Sequence, residues 1–351
     1  MDCQVPTSQT AAEIHNPGPN AKIVIRHDVA VAAPGPDEVL IKLHFSGICH
    51  SDIRAYLGWG AYEAIVGHEG VGTVVKVGRN VDPSVLGQRV GIKWLHSACD
   101  GCSACSKGFP NNCCRQNNTG RNVPGTLQQF AVANAKHMTK IPPGLPGEIA
   151  APLLCAGLTM AGAISKLEGD LEAGDWVVIS GSGGGLGHMG VQIASLKGLR
   201  VIAVDSGEGK RSLSLDSGAE VFIDYKTMDV EKEVKALTGE GASAVVVVPG
   251  SEEAFNLAPK LVRNMGVIVC VGLPRNDFNL PISATMCSAR GLVIKGVSVG
   301  TEEQMDQLLQ QALEGKLRPL VEVFDFEQVS NVFDRLRDDG VTGRAVVRIP
   351  Q

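Results

Sequence analysis

Apolar and polar positions change rhythm along this 351-residue chain. Up to about residue 150, short β-rich runs such as Ala21-Lys22-Ile23-Val24-Ile25 and Glu38-Val39-Leu40-Ile41-Lys42-Leu43 are punctuated by proline and glycine, as in Pro34-Gly35-Pro36-Asp37. Glycines at 67, 70, 72, 78 and 87 among valines mark the bends of a small barrel, so this part predicts a loop-rich all-β domain. From Trp176 the pattern is different. Trp176-Val177-Val178-Ile179-Ser180 is a continuous apolar strand, followed by a glycine loop and a helical pattern through Leu196 that stops at Gly198. Further buried strands are predicted at 200–205, 221–224, 244–248 and 266–271, separated by helices near 210–216, 231–237 and 252–261. Such alternation predicts a doubly wound parallel sheet, and hence an α/β protein with an additional β-rich domain. The tail reads as a helix at 302–314, a helix at 326–337 and a last strand at 344–349.

Composition narrows the class. With 44% hydrophobic and 20% charged residues and a net charge of -5, the chain matches a folded protein and not the signature of disorder. Its length suits two domains at ~100–200 residues each. No apolar run of the ~18 residues a membrane helix needs is expected, so no membrane partner is. A slightly acidic chain with few aromatics offers no nucleic-acid surface, which leaves a small molecule as the expected partner. The opening residues carry neither a basic nor an apolar leader segment, and the expected address is the reducing cytoplasm.

Gly181-Ser182-Gly183-Gly184-Gly185-Leu186-Gly187 lies between the first buried strand and its helix, where backbone N–H groups and the positive helix end can face a pyrophosphate. Asp205 ends the next strand. Eighteen residues beyond Gly187, it is placed to accept hydrogen bonds from the ribose hydroxyls and to repel a 2′-phosphate, which favours NAD over NADP. Lys210 is a candidate for a further ribose contact.

Four of the ten cysteines crowd into Cys99-x2-Cys102-x2-Cys105-x7-Cys113. Four thiolates on one loop suit a closed tetrahedral zinc site with a structural role. Adjacent Cys114 is read as a bystander, and Cys3, Cys270 and Cys287 as unliganded thiols.

Longer motifs extend this reading over nearly the whole chain. They are Gly47-Ile48-Cys49-His50-Ser51-Asp52, Gly67-His68-Glu69-x2-Gly72-x5-Gly78-x2-Val81, Gly91-Ile92-Lys93-Trp94-Leu95, Leu154-Cys155-Ala156-Gly157, Gly207-Glu208-Gly209-Lys210 and Gly343-Arg344. On these the sequence resembles the zinc-containing alcohol dehydrogenases of the medium-chain dehydrogenase/reductase superfamily, particularly the yeast and fungal branch.

The resemblance implies a GroES-like catalytic domain over 1–160, a Rossmann NAD-binding domain over 161–299 and a return to the catalytic domain over 300–351. Cys49, His68 and Cys155 are implied as ligands of a catalytic zinc, the second of two zincs per chain, with Glu69 able to approach the metal when substrate is absent. Asp52 would orient His68 through its second ring nitrogen. His50 and Arg344 take the positions of pyrophosphate contacts, and Val271 that of a cofactor contact. Ser51 takes the position whose hydroxyl meets the substrate oxygen and relays its proton toward the nicotinamide ribose. Trp94 corresponds to a residue that narrows the alcohol pocket. Relatives pair their Rossmann domains, which implies a homo-oligomer, dimer or tetramer. The implied reaction is hydride exchange between NAD(H) and an alcohol, aldehyde or ketone.

Two features depart from the ethanol-oxidising pattern. Leu57 stands where those enzymes have a histidine that completes the relay, and leucine cannot carry a proton. The segment from Trp59 to Val66, which lines the substrate mouth in relatives, is short. Both point to a reductase of a bulkier carbonyl compound as the alternative function. A non-catalytic, zinc-stabilised NAD-binding protein is the reading from another class; the quinone reductases of similar architecture lack the Cys49, His68 and Cys155 set.

Overall fold

The computed structural model describes residues 5–275 and 277–351, so Cys3 lies outside the described residues. The chain divides into two compact units, one of residues 1–156 with 301–351 and one of residues 157–300.

In the first unit, a seven-stranded sheet runs in the order Val321–Asp325, Arg344–Arg348, Glu38–Ile48, Gly70–Val77, Arg89–Ile92 and Thr139–Lys140, with Phe130–Asn134 also pairing with Glu38–Ile48. The long strand Glu38–Ile48 is central because Val39, Ile41, Leu43 and Ile48 all enter the core. Both lateral neighbours run antiparallel to this strand, with Ile48 opposite Ala345 and Ser46 opposite Gly70. The end of the central strand therefore lies beside the starts of both neighbours. Residues just after Ile48, just before Gly70 and at Arg344 are gathered at one end of the sheet.

In the second unit, six parallel strands run in the order Val221–Asp224, Arg200–Asp205, Trp176–Ser180, Ala242–Val247, Val262–Cys270 and Val293–Gly296. Numbered along the chain this is 3-2-1-4-5-6, the doubly wound dinucleotide-binding order, which reverses direction beside Trp176–Ser180. The expected α/β class with a β-rich domain is borne out. Val293–Gly296 was not legible in the pattern. As an outer strand with Val293 and Ile294 exposed, it lacks the apolar run that marks its buried neighbours.

One expectation is corrected. Residues Gly147–Ser165 form a 19-residue helical stretch apolar enough to cross a membrane by length and composition. Most of it is buried within the protein, where its side chains pack as core. Its regularity breaks after Pro152, which has no N–H to donate and crowds the preceding turn. The chain widens there into a π-helical turn, Leu153–Gly157.

Candidate active site and cofactor site

Cys49 follows the central strand and caps the helix His50–Tyr56; His68 and Glu69 immediately precede strand Gly70–Val77; Cys155 projects from the π-helical turn. All four are buried, and their ligand atoms lie within 4.8 Å of one another. Cys49 Sγ is 4.0 Å from Cys155 Sγ, and His68 Nε2 is 3.3 Å from Cys155 Sγ. Zinc–sulfur bonds of about 2.3 Å at a tetrahedral angle separate two thiolates by about 3.8 Å, close to this spacing. The Cys155 thiol's hydrogen bond holds Cys49 well below the ordinary thiol range against the opposing effect of burial, with His68 and Arg344 assisting. Cys155 is pushed up by the same bond and by burial, so Cys49 ionises first. Buried Glu69 Oε2 has no hydrogen-bond partner, and the Glu69 carboxylate brings an oxygen within 4.8 Å of the other three donor atoms. The donor set fits zinc.

Asp52 organises the cluster. Its Oδ2 accepts the Cys49 N–H at 2.8 Å, its Oδ1 accepts the Gly67 N–H at 3.0 Å, and Oδ1 lies 3.4 Å from His68 Nδ1. One carboxylate thus ties the Cys49 segment to the segment before His68 while lying beside the imidazole. The same carboxylate, at the third helical position, closes the capping box with Cys49 and faces His68.

Arg344 is buried, with its guanidinium turned onto Glu69 Oε1 and donating to the Ile48 carbonyl at 3.2 Å. Burial lifts the Glu69 carboxyl to about 7, opposed by Arg344. Nothing local in the sequence signals this pair, whose members are 275 residues apart. Ser51 lies within the first turn, Oγ 3.7 Å from Cys49 Sγ. Half-buried Trp94 meets the His68 ring edge to face at 5.0 Å between centroids. His50 is exposed, 3.8 Å from Asp339. Leu57 packs against the barrel core, and Trp59 is exposed beneath the Arg54 guanidinium.

The cysteine loop is closed at its base by the pairing of Leu95–Ser97 with Asn117–Asn118. The sulfurs of Cys99, Cys102, Cys105 and Cys113 lie within 4.8 Å of one another. Backbone N–H groups of Cys99 and Arg115 donate to Cys113 Sγ at 3.4 and 3.3 Å. Cys99 is lowered to about 6, first by the Gly101 N–H and then by Cys113 and Arg115, whereas Cys105 is pushed up to about 12 by burial and its neighbouring thiols. Donors already arranged around sulfur suit four thiolates on zinc. Arg115, which the spacing did not single out, brings a positive charge to this set. No disulfide forms among the described cysteines.

In the second unit the glycine loop precedes helix Gly187–Leu196 and is fastened to the neighbouring strand by the Gly181 N–H, which donates to Val204 O at 2.7 Å. Gly184, Gly185 and Leu186 lead into that helix. Asp205 is buried at the end of its strand: Oδ2 accepts from Gly183 N–H at 2.9 Å, Oδ1 from Ser206 N–H at 2.9 Å, and Lys210 Nζ lies 3.3 Å from Oδ1. Val271, just past strand Val262–Cys270, donates its N–H to Val247 O at 3.1 Å. Glycine loop, acid and Val271 occupy the carboxyl ends of parallel strands, where doubly wound sheets receive ligands.

A barrel unit with a buried two-thiol, one-imidazole cluster and a dinucleotide-binding sheet together define a zinc- and nicotinamide-dependent oxidoreductase. Residues 35–143 match the alcohol dehydrogenase GroES-like domain and residues 185–314 the zinc-binding dehydrogenase family. The chain is 36% identical over 348 residues to an alcohol dehydrogenase of Schizosaccharomyces pombe, covering 98% of each. It is 40% identical over 316 residues to one from Geobacillus stearothermophilus, covering 89% of this chain and 92% of the relative. Acetophenone reductase from Geotrichum candidum, solved in complex with NAD, superposes with a TM-score of 0.87 at 29% identity over 98% of each chain. The chain belongs to the zinc-containing alcohol dehydrogenases, enzymes that use zinc and NAD.

Proposed function

We propose that this enzyme exchanges hydride between NAD(H) and a primary alcohol, aldehyde or ketone at the Cys49, His68 and Cys155 site. The observation that carries the reading is the buried cluster of these three residues with the Ser51 hydroxyl 3.7 Å from Cys49 Sγ. When bound, zinc polarises the substrate oxygen and NAD(H) accepts or supplies hydride. Cys49 and Cys155 bring negative charge to the metal, and Asp52 keeps the Cys49 and His68 loops in register. Ser51 exchanges the substrate's hydroxyl proton. Glu69 keeps one oxygen free for the metal while Arg344 holds the other, and Trp94 walls the site beside His68. Asp205 and Lys210 take the ribose hydroxyls, with Asp205 disfavouring a 2′-phosphate. His50 and Arg344 take the pyrophosphate contacts in the same reading.

A second reading, reduction of a carbonyl bulkier than acetaldehyde, is favoured by Leu57. Its partly buried side chain packs against the core at the position where ethanol-oxidising relatives carry the last relay imidazole. Acetophenone, for which the Geotrichum candidum reductase is named, is a carbonyl compound of that bulk. The exposed edge strand Val293–Gly296 supports assembly into a homo-oligomer through the second unit. Thiols kept free for zinc support a cytoplasmic setting.

The test is NADH oxidation by zinc-loaded protein across aldehydes from acetaldehyde to branched and aromatic ones, at fixed pH. Efficiency highest for acetaldehyde supports a small pocket set by Trp94, and efficiency rising with bulk supports the second reading. No turnover of any carbonyl compound despite NADH binding would overturn both.

A further inference from the structure

Two serine hydroxyls outside the proposed chemistry meet in the interior of the second unit. Ser182 Oγ and Ser214 Oγ lie 2.8 Å apart, and neither residue has any surface exposed. Ser182 belongs to the glycine loop, and Ser214 lies on helix Glu208–Asp216, which carries Lys210 on its first turn. Packing alone does not call for them, since a buried hydroxyl costs free energy unless it is bonded, whereas alanine has no such requirement.

Counting protons orients the contact. Ser214 Oγ donates to the Lys210 carbonyl at 2.8 Å. A hydroxyl has one proton, so the proton between the serines belongs to Ser182. The chain runs from Ser182 to Ser214 to Lys210. Lys210 Nζ lies 3.3 Å from Asp205, which accepts the N–H of Gly183 at 2.9 Å, and Gly183 follows Ser182 directly. These contacts close a ring. At Gly183 the loop touches the helix, because a Cβ there would lie 2.4 Å from Lys210 Cβ.

We propose that the Ser182–Ser214 pair is a positioning element that sets Lys210 and its helix against the glycine loop. The ribose-recognising and phosphate-facing groups then meet the adenosine half of NAD in one register. This rests on reading Asp205 and Lys210 as ribose contacts, and Lys210→Ala tests that reading separately.

The experiment measures NADH and ADP-ribose affinity for Ser182→Ala, Ser214→Ala, the double variant, Lys210→Ala and Lys210→Ala/Ser214→Ala, with zinc content and saturated kcat as controls. Ser214→Ala is expected to weaken both ligands about three- to tenfold, the share of one net hydrogen bond. Its kcat and zinc content stay unchanged. The loss should be larger than for Ser182→Ala, because only Ser214→Ala strands a buried hydroxyl. It should shrink in the Lys210→Ala background, the coupling expected when one residue acts in part through another. The double serine variant leaves no orphaned hydroxyl and serves if Ser214→Ala fails to fold. If Lys210→Ala leaves affinity unchanged, the ribose reading falls and the proposal with it. If Lys210→Ala weakens binding but the serine variants do not, or weaken it equally without Lys210, the pair is only core packing and the proposal is overturned.

Discussion

Gly47 leaves open the space that the Glu69 carboxylate fills: a Cβ on Gly47 would lie 1.9 Å from Glu69 Oε2 and 2.9 Å from its Cδ. Its other oxygen is paired with Arg344, and both residues are buried. Gly47→Ala is therefore expected to push Glu69 off Arg344 and strand a buried cation, at about 3–5 kcal/mol for such a broken pair. A thermal midpoint within a degree or two of the parent would show that the carboxylate can move freely.

Ser51→Ala removes the hydroxyl that lies 3.7 Å from Cys49 Sγ without replacing any of the clustered side chains. A positioned proton donor or acceptor contributes about 10²–10⁴-fold, and turnover should fall by an amount in that range. Zinc content and NADH affinity should stay at parental values. Unchanged turnover would remove Ser51 from the reaction.

Cys105→Ser is expected to lower bound zinc from two equivalents to one by elemental analysis. A structural site contributes roughly 10 kcal/mol or more to its segment, so residues 99–113 should become protease-sensitive while the Cys49 site keeps its metal. Retention of both zincs would contradict the assignment of the cysteine loop.

Lys93 is buried and pairs with Glu302, which is half exposed. Burial lowers the Lys93 ammonium below its ordinary 10.5, against the pull of Glu302 upward. The unfolded chain then holds this proton more tightly than the folded one, so stability rises with pH through the window between the folded value and 10.5. Glu302→Gln removes the counter-charge and widens that window downward. The variant should lose about 1–3 kcal/mol near neutral pH, less than for a fully buried pair. The deficit should shrink as the pH approaches 10. Melting curves at several pH values check this, and a deficit constant with pH would show that the ammonium is not the cause.

How much was legible in the sequence depends on distance along the chain. The cysteine loop, the glycine loop with Asp205 and the buried parallel strands are each encoded within a few tens of residues, where spacing and periodicity carry the signal. Gly147–Ser165 and Val293–Gly296 escaped for opposite reasons. The first is apolar all round with a proline inside, and the second is too short and exposed to show a period.

By itself the sequence determined the two kinds of domain, the four-thiolate loop and the dinucleotide-binding turn, because each is local chemistry. Tertiary structure decided the rest. Antiparallel register brought the end of strand Glu38–Ile48 beside the starts of Gly70–Val77 and Arg344–Arg348, and the π-helical turn after Pro152 delivered Cys155 to that end. The Arg344–Glu69 pair and the doubly anchored Asp52 exist only through these approaches, and the Ser182–Ser214 bond only through the packing of helix Glu208–Asp216 on the glycine loop in the second unit. A lone Cys, His or Ser carries no record of its partner until the backbone closes the distance.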